Sequence, residues 1–185
     1  MRSNRKIRTE NGVAVLLAGC VLSVLILLCS STQSSSLLQT AFLLISMLLI
    51  FFSSHALGHY LAARSSGVTV DYFFLGRSDF WRLPMRQMKA IGDVPTIGTK
   101  LNAQRLSSLS PRRKGYIFGA GAILSCVLVG IELAYAASGG FHLLAVAVGS
   151  AFLVAAVASE LLFGTKVGDL AKMKRQFRLE ESRRP

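Results

Sequence analysis

The sequence predicts an all-α membrane protein: four transmembrane helices, with a small β element in the central cytoplasmic loop. Three observations carry this prediction. Of the 185 residues, 52% are apolar, more than a soluble domain of this size can hide from water. The apolar residues gather into stretches long enough to cross about 30 Å of hydrocarbon as helices rising 1.5 Å per residue. All 21 Lys and Arg fall outside the connections that join those stretches into hairpins.

The first span, about 12–31, follows Arg2, Arg5, Lys6 and Arg8. Basic residues before an apolar run also describe a signal peptide, but this run is long and ends in serines without a small-x-small cleavage site. It reads as an uncleaved anchor. Leu17–Cys20 spells a lipoprotein cleavage box, yet the apolar run continues past Cys20, so the match reads as chance. The second span, about 37–64, follows the short uncharged connection 32–36 and carries its charge only at Arg64.

The insert 65–114 comes next. Val68, Val70, Tyr72 and Phe74 alternate between flanking glycines, the pattern of a β-strand. "DVPTIGTKL" reads as a second, shorter strand with Pro95 at its edge. Between them, "RSDFWRLPMRQMK" mixes aromatic, apolar and basic residues, a composition suited to the membrane interface. The third and fourth spans, about 115–138 and 139–163, meet at an uncharged turn. Gly115 and Gly119 form a G-x-x-x-G that allows a close helix approach. Gly164 and Gly168 are expected to unwind the end of the fourth span, before the tail 164–185. The whole chain reads as one polytopic domain.

The formal net charge of +12 would suggest nucleic acid in a soluble protein. Here the basic residues lie in the N-terminal tail, the insert and the C-terminal tail, three segments that four spans place on one side. The positive-inside rule puts that side, with both termini, in the cytoplasm. Anionic lipid headgroups then account for the charge, and nucleic acid is not an expected partner. The three cysteines, Cys20, Cys29 and Cys126, all lie in spans and read as small packing residues, not as a disulfide framework.

The chemistry concentrates near the end of the second span, in "FFSSHALGHYLAARSSGV". His55 and His59 are one helical turn apart, so both rings project from one face and can hold one metal. Ionisable groups at that depth are rare and usually functional, although polar contact between helices is the alternative. A catalytic zinc site typically takes three protein ligands and leaves one position open. Asp169, just after the fourth span on the same side, is the best third ligand. Glu160 lies near the same end, Glu132 sits deeper in the third span without an evident partner, and His142 begins the fourth span on the far side.

These residues resemble the site-2 protease family of intramembrane zinc metalloproteases. "HALGHYLAARSSGVTVDYFFLG" is similar to that family's H-E-x-G-H-x-x-x-A-R-x-x-G-(I/V)-x-V at every position but the glutamate. The resemblance implies zinc held by His55, His59 and Asp169, and an exposed strand edge at Val68, Val70 and Tyr72 that pairs with an unwound transmembrane substrate. There are four departures. Ala56 replaces the catalytic glutamate, Gly121–Ser125 stands where G-P-x-x-N is common, Glu160–Phe163 where N-L-x-P is common, and Gly168-Asp169-Leu170 replaces L-D-G.

Glutamate takes a proton from zinc-bound water and delivers it to the leaving amine, a contribution of about 10²–10⁴-fold that an alanine methyl cannot make. The sequence therefore predicts a pseudoprotease that binds zinc and a membrane segment but cuts poorly or not at all. Two alternatives stand beside it. The chain is an active protease, with Glu160 or Asp71 as base or with Ala56 as an engineered inactivation. Or it is a membrane scaffold without a metal.

Overall fold

The computed structural model describes residues 5–77, 95–162 and 169–182, the side chains of Arg5, Arg77, Pro95, Thr96 and 159–162 excepted. The expected interfacial segment around Phe80–Met88 and the glycines 164 and 168 lie outside the described residues. The elements run β1 (Arg5–Ile7), α1 (Thr9–Ser31), α2 (Ser36–Ser65), β2 (Val70–Arg77), β3 (Pro95–Leu101), α3 (Ala103–Ser107), α4 (Pro111–Ser138), α5 (Leu143–Leu162) and α6 (Asp169–Glu181).

Three helices, α1, α2 and α4, are long and apolar enough to cross a membrane; α5 contributes a shorter apolar stretch, Leu143–Ala158. Where the fourth span was expected, α5 starts four residues late, because Gly139 ends α4 and Gly140 turns the chain with a φ of 73° before α5 begins. Long apolar side chains on α1 and α2, among them Val21, Leu25 and Leu37, point outward. A chain that exposes this many large apolar residues along its helices matches a hydrocarbon solvent.

Inside, α2 packs against α1, α4 and α5, while α4 also packs against α6. One apolar cluster joins Leu27, Leu43, Met47, Val129 and Ala145. A second, nearer the sheet, joins Leu16, Ala56, Val68, Phe73 and Ile117. The first cluster is crossed by a polar knot. Glu132 of α4 accepts from Ser23 of α1 (2.5 Å) and from Ser46 of α2 (2.8 Å), so the partner that the sequence left unidentified is a pair of serines. Interhelical hydrogen bonds in membranes contribute about 0.6 kcal/mol each and at most about 1.7. Glu132→Gln keeps an accepting oxygen and is expected to unfold in detergent at the wild-type temperature. Glu132→Ala loses both bonds and leaves a cavity, at an expected cost of about 1–3 kcal/mol, readable as a lower thermal midpoint.

The end of α2 sets the direction of the sheet. Gly67 takes a φ of 76°, its N–H reaches the Arg64 carbonyl, and Val68 N–H reaches back to Ala63 (2.9 Å). This six-to-one and five-to-two pair of bonds closes the helix and turns the chain directly into β2, with Val68 and Ala63 in one buried cluster. The sheet is antiparallel in the order β1-β2-β3, with Phe73 paired to Ile7 on one side and to Thr99 on the other.

This order differs from the expected open edge at Val68, Val70 and Tyr72. β2 is the central strand, because the N-terminal segment that read as a basic tail supplies β1, which pairs with Phe73, Phe74 and Leu75. Thr9 Oγ1 also caps the Val70 carbonyl (3.1 Å), Val68 and Val70 are buried, and Tyr72 lies under Lys6. The free strand edges of the described sheet belong to β1 and β3.

The basic C-terminal tail also differs from expectation: it forms a helix. Asp169, Met173 and Phe177 lie at four-residue spacing on one stripe of α6. Met173 and Phe177 fill the places where Gly119 and Gly115 lack a Cβ. The G-x-x-x-G of α4 therefore receives the tail helix and not another span.

Candidate metal centre

The site forms where α2, α4 and α6 meet. α2 carries His55 and His59 on one face, their ring centroids 5.0 Å apart. α6 brings Asp169 to both rings. Its Oδ2 is 3.2 Å from His55 Nε2 and 3.0 Å from His59 Nε2. The ligand atoms of all three residues lie within 4.8 Å of one another, and no other such group of His, Cys, Asp and Glu occurs among the described residues.

α4 contributes its backbone. His59 Nδ1 is 2.8 Å from the carbonyl oxygen of Ile117. A carbonyl only accepts, so Nδ1 carries the ring proton, and Nε2 of neutral His59 is a bare lone pair. That lone pair faces a carboxylate oxygen, which is an acceptor too. Two acceptors 3.0 Å apart repel unless a cation lies between them: a second ring proton or a metal ion.

The donor set fits zinc. Two imidazoles and one carboxylate with a fourth position open is a known catalytic arrangement, and ligands bound at about 2.0–2.1 Å in a tetrahedron lie about 3.3 Å apart. The observed separations of 3.2 and 3.0 Å are close to that. The Ile117 carbonyl fixes the tautomer in the way outer partners of ligating histidines usually do.

Asp169 is ionised. Burial alone would raise its carboxyl, but hydrogen bonds from the two rings, the charge of His59 when its ring carries both protons and the charge of Lys172 outweigh burial and hold it well below the ordinary carboxylate range, so the cation that keeps Asp169 ionised is a ring proton or a metal in its place. Lys172, one turn along α6, takes the other oxygen: Nζ is 3.1 Å from Oδ1, which leaves Oδ2 for the rings.

Close approach of α2 and α4 depends on two glycines. A Cβ on Gly58 would lie 2.7 Å from the Ala120 carbonyl oxygen, and one on Gly121 would collide with His59 Nε2.

The three residues read as ligands from the sequence are thus brought together. The two candidate bases are not placed with them. Asp71 is exposed on β2 and accepts from Asn102 (3.3 Å), and the side chain of Glu160 lies outside the described residues. Ala56 is 1% exposed and packs in the apolar cluster, with Thr99 Oγ1 3.5 Å from its carbonyl. His142 stays apart, bonded to Ser34 and Gln39.

Sequence reasoning missed the parts played by Ile117 and the two glycines, since a backbone carbonyl leaves no residue-type signal. Lys172, three positions after Asp169, was legible as a residue that could pair with it. Comparison with known proteins finds no matching family model, curated protein or solved structure.

Proposed function

We propose that this chain is a membrane metalloprotein that holds zinc between α2 and α6 through His55, His59 and Asp169. The observation that carries the reading is the convergence of His55, His59 and Asp169 ligand atoms within 4.8 Å of one another, with His59 Nδ1 against the Ile117 carbonyl and Nε2 against the carboxylate, a geometry that calls for a cation. The fuller reading adds the resemblance to the site-2 proteases: a pseudoprotease that binds a transmembrane segment of another protein without cutting it. Zinc, when bound, would supply Lewis acidity and a water of lowered pKa. Position 56 offers no group to move that water's proton, and Asp71 is engaged with Asn102.

The membrane arrangement belongs to the same proposal. α5 has 20 residues, a length that reaches about 30 Å, which supports a fourth span. The basic residues at the site end of the bundle, among them Arg64, Arg113 and Lys174, support a cytoplasmic position for that end and for both termini.

The test is the zinc content of detergent-purified protein. Wild type is expected to hold near one zinc per chain, the His55→Ala/His59→Ala variant none. Asp169→Asn is expected to bind at least about tenfold more weakly, since it removes a charged ligand. A wild type that holds no zinc even after zinc is supplied overturns the reading and leaves a membrane scaffold.

A further inference from the structure

We infer that the metal acts as a clasp: its binding docks the C-terminal helix α6 onto the bundle, and its removal releases that helix. This rests on the zinc reading above and gives the metal a role that needs no carboxylate at position 56.

Three features of α6 lead there. The helix has 13 residues and buries none of them fully, and an isolated helix of that length is marginal in water. Its folded state therefore depends on what it touches. Its apolar hold on α4 comes from Met173 and Phe177 against Gly119 and Gly115, with Phe177 also 5.5 Å from the Tyr116 ring. Its polar link to α2, among the described residues, is Asp169 against the two histidines.

That polar link changes character with the cation. With a metal between them, Asp169 Oδ2 and His59 Nε2 are two ligands of one centre. Without it, a neutral His59 whose tautomer is fixed by Ile117 sets lone pair against lone pair. The metal thus joins residues 110 positions apart in sequence, one on a membrane-spanning helix and one on a marginal tail helix. Linkage then requires the reverse effect: the docked helix must favour metal binding by the same factor by which the metal favours docking, so a change that undocks α6 weakens metal binding.

The experiment is hydrogen exchange of the full-length protein in detergent at pH 8, with zinc and with zinc removed by a chelator, while zinc content is measured on the same samples. Amides of α6 are expected to exchange at least about tenfold faster without zinc, and those in the middle of α4 at an unchanged rate. Phe177→Ala, about 12 Å along the helix from Asp169, is expected to lower zinc affinity about fivefold or more, an effect that a self-contained metal site would not show. Zinc bound and removed with no change in α6 exchange overturns the clasp alone, as does an unchanged affinity in Phe177→Ala. A wild type that never binds zinc overturns the site reading beneath it.

Discussion

Ala56→Glu is expected to restore no peptide cleavage and to make the protein less stable. The substitution writes H-E-x-x-H back into the sequence, and by motif alone it should revive a protease. The structure argues otherwise. Ala56 is 1% exposed and shares its cluster with Leu16, Val68, Phe73 and Ile117. A carboxyl placed there enters an apolar space already filled, and burying a polar group without a partner costs about 1–3 kcal/mol, more when it is charged. Overpacking adds about 1–3 kcal/mol. A general base must also reach the proton that it takes, within about 3 Å or through one water. The measurement pairs a thermal midpoint in detergent with cleavage of a transmembrane peptide by zinc-loaded variant. A variant as stable as wild type that cuts the peptide would mean that one missing group separates this chain from an active enzyme, and the pseudoprotease reading would fail.

The contrast between position 56 and its neighbours shows what the sequence could convey. Helical spacing alone put His55 and His59 on one face, because 3.6 residues per turn leaves no other arrangement for residues four apart. The apolar runs likewise marked α1, α2 and α4 to within a few residues at most ends, since length and hydropathy are local properties. Asp169 was found as the acid nearest the right end of the bundle, but what delivers it was not: α6 is folded by a groove in α4, and no local pattern reports a groove. The same limit explains β1. Arg5–Ile7 is too short and too basic to read as a strand, and it pairs only because α1 returns it alongside β2. That pairing makes β2 a central strand, against the open edge that the family resemblance implied at Val68, Val70 and Tyr72. Period-two patterning says that a segment is a strand and is silent on how many neighbours it has.

Gly121→Ala is expected to dismantle the metal centre from the α4 side while leaving all three ligands in the sequence. The added Cβ would collide with His59 Nε2 and lie 2.7 Å from the His55 carbonyl oxygen. The His59 ring cannot swing aside without losing the bond from Nδ1 to Ile117, which sets its tautomer. The carbonyl is main chain, so relief there means moving α2 away from α4, at about 1–3 kcal/mol for an overpacked contact. Outer-shell changes of this kind typically cost 10–100-fold in metal affinity, and the expected loss here is at the upper end because ring and backbone are both displaced. Gly58→Ala separates the two contributions. The atoms nearest its Cβ are backbone atoms of Ala120 and Gly121, at 2.7–3.0 Å, and not a ligand side chain. It is expected to lower the thermal midpoint by as much as Gly121→Ala, with a smaller loss of zinc. Equal zinc affinities in Gly121→Ala and wild type would show that the helices part without disturbing the rings. The close approach of α2 and α4 would then serve packing and not the metal.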